Sequence, residues 1–155
     1  MMGALQMVDF LKIAKEEAKM AMKKGEIPVG AVIVLDDKII GRAHNLKETL
    51  NDSTAHAEIL AIKEASKFIG DWRLNRAEMY VTLEPCPMCA GAIIQSRISK
   101  VYIGTFNKDM GACGSVIDVI DNKWLNSFVS TKWLYDKECS DIMLEFFCQR
   151  RNKYK

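Results

Sequence analysis

Cys86 and Cys89 stand three residues apart in the run TLEPCPMCAG (82–91), directly after an apolar, strand-like stretch. In the first turn of a helix, that spacing points both sulfurs the same way. A helix N-terminus favours the thiolate, which suits a redox pair or one half of a metal site. Thiolates are soft ligands that favour zinc. A structural zinc takes four protein ligands, whereas a catalytic zinc takes three and keeps a position for water. His56, in TAHAE, is the natural third ligand, since the chain holds two histidines in all. Cys113, Cys139 and Cys148 offer no second Cys-x-x-Cys spacing, so the site reads as three-coordinate and open. Glu58 follows His56 by two residues. In a regular helix that step is about 200° of rotation, so the two side chains work together only at a helix end. A carboxylate there, beside a metal-activated water, is a proton carrier.

The surrounding pattern shows how such residues could meet. Phe10, Leu11, Ala14, Ala18, Ala21 and Met22 recur at helical spacing, with lysines and glutamates expected on the solvent face. Asp9 can cap that helix and Gly25 can end it. VGAVIVL (29–35) reads as a covered strand, Asp36-Asp37 as a turn and KIIGRAH (38–44) as its hairpin partner. A helix is predicted over 54–69 with Ile59, Leu60 and Ile62 facing a core, then a strand over 78–84 and a helix over 86–96. A strand over 100–105, a short helix near 115–122, a strand near 127–134 and a final helix from Asp136 complete the reading. The alternation predicts an α/β fold with a mostly parallel sheet and one antiparallel hairpin. That topology brings Pro28, Asn45 and the starts of the helices near Thr54 and Cys86 to one rim, where open α/β sheets bind ligands.

Composition sets the frame. The 155 residues fit a single domain, with residues 1–7 expected to be disordered. No apolar run approaches the ~20 residues that span a bilayer, and MMGALQMVDF resembles no signal peptide, so a cytoplasmic protein without membrane association is expected. Five cysteines would then stay thiols or bind metal. The net charge of +2 says little, but QRRNKYK at the C-terminus carries four positive charges and no negative one.

Together, HAE (56–58) and PCPMC (85–89) give a His-x-Glu…Pro-Cys-x-x-Cys pattern, the signature of zinc nucleobase deaminases. The chain resembles the cytidine-deaminase superfamily. Within it, EIPVGAVIV, TAHAEI, YVTLEPCPMCAGAII, SRISKVYIGT and GACGSVIDV, in order from Val8 to Arg151, resemble the tRNA adenosine deaminases that make inosine at the wobble position. The resemblance implies a three-layer α/β/α cytidine-deaminase-like fold with a five-stranded mixed sheet. It also implies one Zn²⁺ per subunit on His56, Cys86 and Cys89, with Glu58 as catalytic acid and base.

For the substrate, the resemblance implies apolar walls at Pro28, Val29 and Leu83, a hydrogen bond from Asn45 to the purine, and an oxyanion donor at the backbone N–H of Ala57. It implies contact of Phe147, Arg150 and Arg151 with the tRNA anticodon loop. His44 is read as a strand-end residue, and Cys113, Cys139 and Cys148 as small apolar residues. Asn107 stands where bacterial relatives usually carry an acid near the ribose. Strictness for RNA should therefore relax, with adenine in single-stranded DNA a weak alternative substrate. A homodimer is implied by bacterial relatives of similar length; the tRNA species and flanking-base preference are not. Two other readings share the zinc motif: deamination of a free base or nucleoside, and a catalytically silent RNA-binding partner. The presence of Glu58 argues against the second.

Overall fold

The computed structural model describes residues 8–154. Expectations for residues 1–7 lie outside that range. Asp9 caps α1 (Phe10–Lys23) by accepting the backbone N–H of Lys12 at 3.0 Å. The hairpin β1 (Gly30–Leu35) and β2 (Lys38–His44) closes through Asp36 and Asp37, both at positive φ. That conformation matches the tight turns that follow strand twist. The remaining elements are α2 (Ala57–Ile69), β3 (Glu78–Leu83), α3 (Pro87–Gln95), β4 (Lys100–Thr105), β5 (Ser130–Trp133) and α4 (Lys137–Lys153).

The strands order β2-β1-β3-β4-β5 in one sheet. β1 is antiparallel to both β2 and β3, while β3, β4 and β5 run parallel. The sheet is thus evenly mixed, not mostly parallel. α1 packs on β1, β2 and β3 and touches α4, which covers β4; α2 packs on β1 and β2 and touches α3. Helices therefore cover both faces in three layers. β2, β3, β4 and β5 all end at one rim, where β1 begins. Among the described residues no helix is long and apolar enough to cross a membrane.

Several expectations need correction. α2 starts at Ala57, because the chain from Lys47 to Ala55 is taken up by turns that Leu46 N and Ala55 O tie back at 3.0 Å. Its core stripe is Ala57, Ala61 and Ala65, whereas Ile59 and Leu60 are only half-buried. Small residues let the helix lie close on β2, so close that a Cβ on Gly41 would collide with the Ala61 carbonyl. No helix forms over 115–122; those residues make turns and a bridge between Cys113 and Asp118, with one 3-10 turn at Lys123–Leu125. Glu17 is buried on the inner face of α1, not solvated. Cys148, read as a small apolar residue, is exposed on α4, as is Phe147.

Candidate active site

His56 is the N-cap of α2, with extended backbone (φ −76°, ψ 155°), and Cys86 is the N-cap of α3 (φ −73°, ψ 172°). Pro87 at the first turn of α3 suits a position whose N–H has no intrahelical acceptor. Two helix starts thus face each other across the rim. His56 Nδ1 lies 3.7 Å from Cys86 Sγ and 3.5 Å from Cys89 Sγ. All three ligand atoms fall within 4.8 Å of one another. Zinc bonded to sulfur and imidazole nitrogen at tetrahedral angles requires an N···S separation of about 3.5–3.6 Å. The donor set and spacing fit that ion. Among the described residues this is the only such group of metal-binding type.

Glu58 is buried in the first turn of α2, and its Oε2 accepts from Cys89 Sγ at 3.3 Å. Because His56 is outside the helix proper, the two side chains converge despite their spacing, as the helix-end reading required. Burial raises the pKa of Glu58 and so favours a carboxyl that holds a proton. A hydrogen bond from Cys89 lowers Cys86 to about 4 against the effect of burial, with help from His56. The same bond, with burial and nearby Glu58, pushes Cys89 up. His56 is raised by its hydrogen bond to Cys86, against desolvation. Cys113 is buried and raised by desolvation, and lies outside the ligand group.

Pro28, Val29 and Asn45 are buried and Leu83 is half-buried. Asn45 N donates to Val29 O at 3.1 Å, joining the start of β1 to the end of β2. The Asn45 side chain donates to Ile27 O and accepts from Lys47 N, leaving one amide hydrogen and one lone pair free. Asn107 Oδ1 accepts from Asp109 N and Met110 N, so its free group toward a ligand is the amide donor. Ala57 is the first residue of α2, where a backbone N–H has no intrahelical acceptor. Phe147, Arg150 and Arg151 share a shallow hollow with Tyr154 near the end of α4, away from the metal-binding group.

Three glutamates organise this rim in a way that the sequence reading assigns to none of them. Glu84 is buried and accepts from Asn107 N (3.1 Å), Cys113 N (2.9 Å), Ser115 N (3.2 Å) and Ser115 Oγ, fastening loop 106–115 beside Cys86. Glu26 accepts from Glu48 N and Thr49 N, both at 2.9 Å. Glu17 bonds His44 Nδ1 at 2.6 Å and Arg42 Nε at 2.7 Å, fixing the end of β2 next to Asn45. Burial pushes Glu17 up, but His44 and Arg42 outweigh it and hold the carboxyl below its usual range. The available signal was position: Glu26 and Glu84 each precede a site residue by two, Pro28 and Cys86.

Over 147 residues the chain is 46% identical to the tRNA-specific adenosine deaminase of Bacillus subtilis (strain 168), covering 94% of this chain and 91% of that one. The chain belongs to the tRNA-specific adenosine deaminase family. A relative of the same description from Aquifex aeolicus (strain VF5) is 48% identical over 92% of this chain and 95% of its own. The family described as MafB19-like deaminase matches residues 6–151. A solved structure from studies of A-to-I editing by tRNA:A34 deaminases at the wobble position of transfer RNA has TM-score 0.83 and 40% identity. It covers 86% of this chain and 97% of that one. The cytidine-deaminase-like fold expected from the sequence is thereby confirmed, and in this deaminase His56, Glu58, Cys86 and Cys89 meet at its rim.

Proposed function

We propose that this deaminase converts adenosine to inosine by hydrolysis at the wobble position of a tRNA anticodon loop, using one zinc ion per subunit on His56, Cys86 and Cys89. The observation that carries the reading is the convergence of these three ligand atoms with the buried Glu58 carboxyl. When bound, zinc supplies a water whose pKa falls toward ~7. Glu58 would take one proton of that water and deliver it to the ring nitrogen beside the amine, then take the remaining hydroxyl proton of the added oxygen and deliver it to the amine, which leaves as ammonia. Its burial favours holding the proton between those transfers. The Ala57 N–H donates to the oxygen added at the amine-bearing carbon. Pro28, Val29 and Leu83 enclose the base, and the free amide hydrogen and lone pair of Asn45 orient it. The base must leave its stack to reach Glu58, which an unpaired loop makes less costly.

Phe147, Arg150 and Arg151 contact the anticodon loop in this account, by stacking and phosphate pairing. The Asn107 amide faces the ribose, a donor without the charge of a carboxylate. The working unit is a cytoplasmic homodimer, which light scattering at micromolar protein tests. The decisive assay incubates zinc-loaded protein with an anticodon stem-loop bearing adenosine at the wobble position, followed by nucleoside mass analysis. Free adenosine, cytidine and guanine run alongside. Inosine from the hairpin alone is expected; turnover only of a free nucleoside or base would overturn the RNA assignment.

A further inference from the structure

Three aromatic rings stand together at the ends of β4 and β5, outside the metal-binding group. Phe106 lies 4.6 Å from Trp133 and 5.7 Å from Tyr135 between ring centroids. Trp133 stacks on Tyr135 at 6.2 Å with planes 22° apart. Trp133 rests against the main core, but Phe106 is 46% exposed and Tyr135 is 68% exposed. Aromatic rings favour burial, so a grouped, exposed set is not what folding alone selects. Tyr135 also has φ +49°, a left-handed conformation that a bulky side chain adopts only at a cost. The backbone on either side enforces it: Leu134 N donates to Ile103 O and Asp136 N to Gly104 O, both at 2.8 Å.

Position and charge say what the rings face. Phe106 directly precedes Asn107, whose N–H is held by Glu84 two residues before Cys86. Two strand spacings of about 4.8 Å put the β5 end roughly 10 Å from the β3 end, within reach of a base neighbouring the one at Glu58. Of the acids in this corner, Asp136 and Glu138 share Lys15, Glu138 also pairs with Lys19, and Asp141 pairs with Lys137, while Asp109 pairs with no base among the described residues. Lys108 and Lys132, flanking the rings in sequence, pair with no acid among the described residues. A planar, uncharged, anion-tolerant surface fits a nucleobase and its phosphate.

We propose that Phe106, Trp133 and Tyr135 form a stacking platform for an unpaired RNA base adjacent to the one deaminated, and thereby set the preference for that flanking nucleotide. The proposal rests on the anticodon-loop reading. Stacking strength then favours a purine there, since its larger face covers more of the rings.

The test measures single-turnover deamination of anticodon stem-loops in which each loop position beside the target is made abasic in turn. Wild type, Tyr135→Ala and Tyr135→Phe are compared at equal zinc content. Wild type should lose about 10- to 100-fold at one abasic position, from the stacking of a single base. Tyr135→Ala should lose a similar factor on the intact hairpin and little more on that abasic one, while Tyr135→Phe behaves as wild type. Identical abasic profiles in wild type and Tyr135→Ala would overturn the platform. An unchanged profile with an altered oligomeric mass would reassign the rings to contact between copies. Wild type inactive on the intact hairpin would refute the proposed function itself, and the platform with it.

Discussion

Glu26 and Glu84 are both 1% exposed, and both turn a carboxylate toward the backbone of a rim loop, yet they hold those loops differently. Glu26 grips one point, the adjacent N–H groups of Glu48 and Thr49. Glu84 grips three points of its loop, at Asn107, Cys113 and Ser115, and takes a hydroxyl as well. A one-point anchor fixes where a loop starts and leaves its far side to local turns, such as the Asp52–Thr54 turn. A three-point anchor fixes the path of the whole loop. The second loop borders Cys86 and carries Asn107 and the neighbour of the aromatic cluster, so its path decides what a substrate meets.

The strongest break in this comparison is Glu84→Ala, which orphans every one of those donors. Its stability should fall by roughly 3–4 kcal/mol, and kcat/KM on the anticodon hairpin by about 100-fold through misplacement of the loop. Denaturant unfolding and single-turnover assays check both; an effect no larger than that of Glu26→Ala would break the contrast. Gly111→Ala is next. A Cβ there would run into the Glu84 carboxylate and the Ser115 hydroxyl, so the substitution should cost about 2 kcal/mol of stability.

Glu26→Gln sharpens the other side. Burial pushes the Glu26 carboxyl up, but the N–H donors of Thr49 and Glu48 outweigh it and hold its pKa below the ordinary 4.5. A pKa depressed by folding gives stability that is full above the unfolded value and is lost as pH falls through the folded one. Glu26→Gln should therefore be less stable than wild type at pH 7 by about 1–2 kcal/mol. The gap should narrow as pH falls below the ordinary carboxyl value and close below the depressed folded one, where wild type also carries a neutral group. Urea unfolding at pH 7, 5 and 3.5 measures it; a gap independent of pH would deny the carboxylate its role.

These anchors explain which parts of the molecule could be read from sequence. His56, Glu58, Cys86 and Cys89 were legible because their chemistry depends on residue type and short spacing, and helix starts bring such spacings together. The strands and the rim were legible from apolar runs and the Asp36-Asp37 turn. Residues 115–122 were not, because Ser115 donates to a distant glutamate and the next residues bond back to Gly111 and Ala112, contacts that no period records. Buried glutamates leave no signature either. Glu17 looks like part of a solvated face until His44 and Arg42, on another element, are known to meet it. The alanine stripe of α2 misled in a similar way: close packing on β2 selects small residues over the larger Ile59 and Leu60.

The most direct test of the account is Glu58→Gln, examined for bound zinc and for inosine formation in the same preparation. One zinc per chain is expected, as in wild type, with turnover of the anticodon hairpin reduced by about 10²–10⁴-fold or more. Retained zinc with undiminished inosine formation would contradict it, because the proton transfers would then belong to another group.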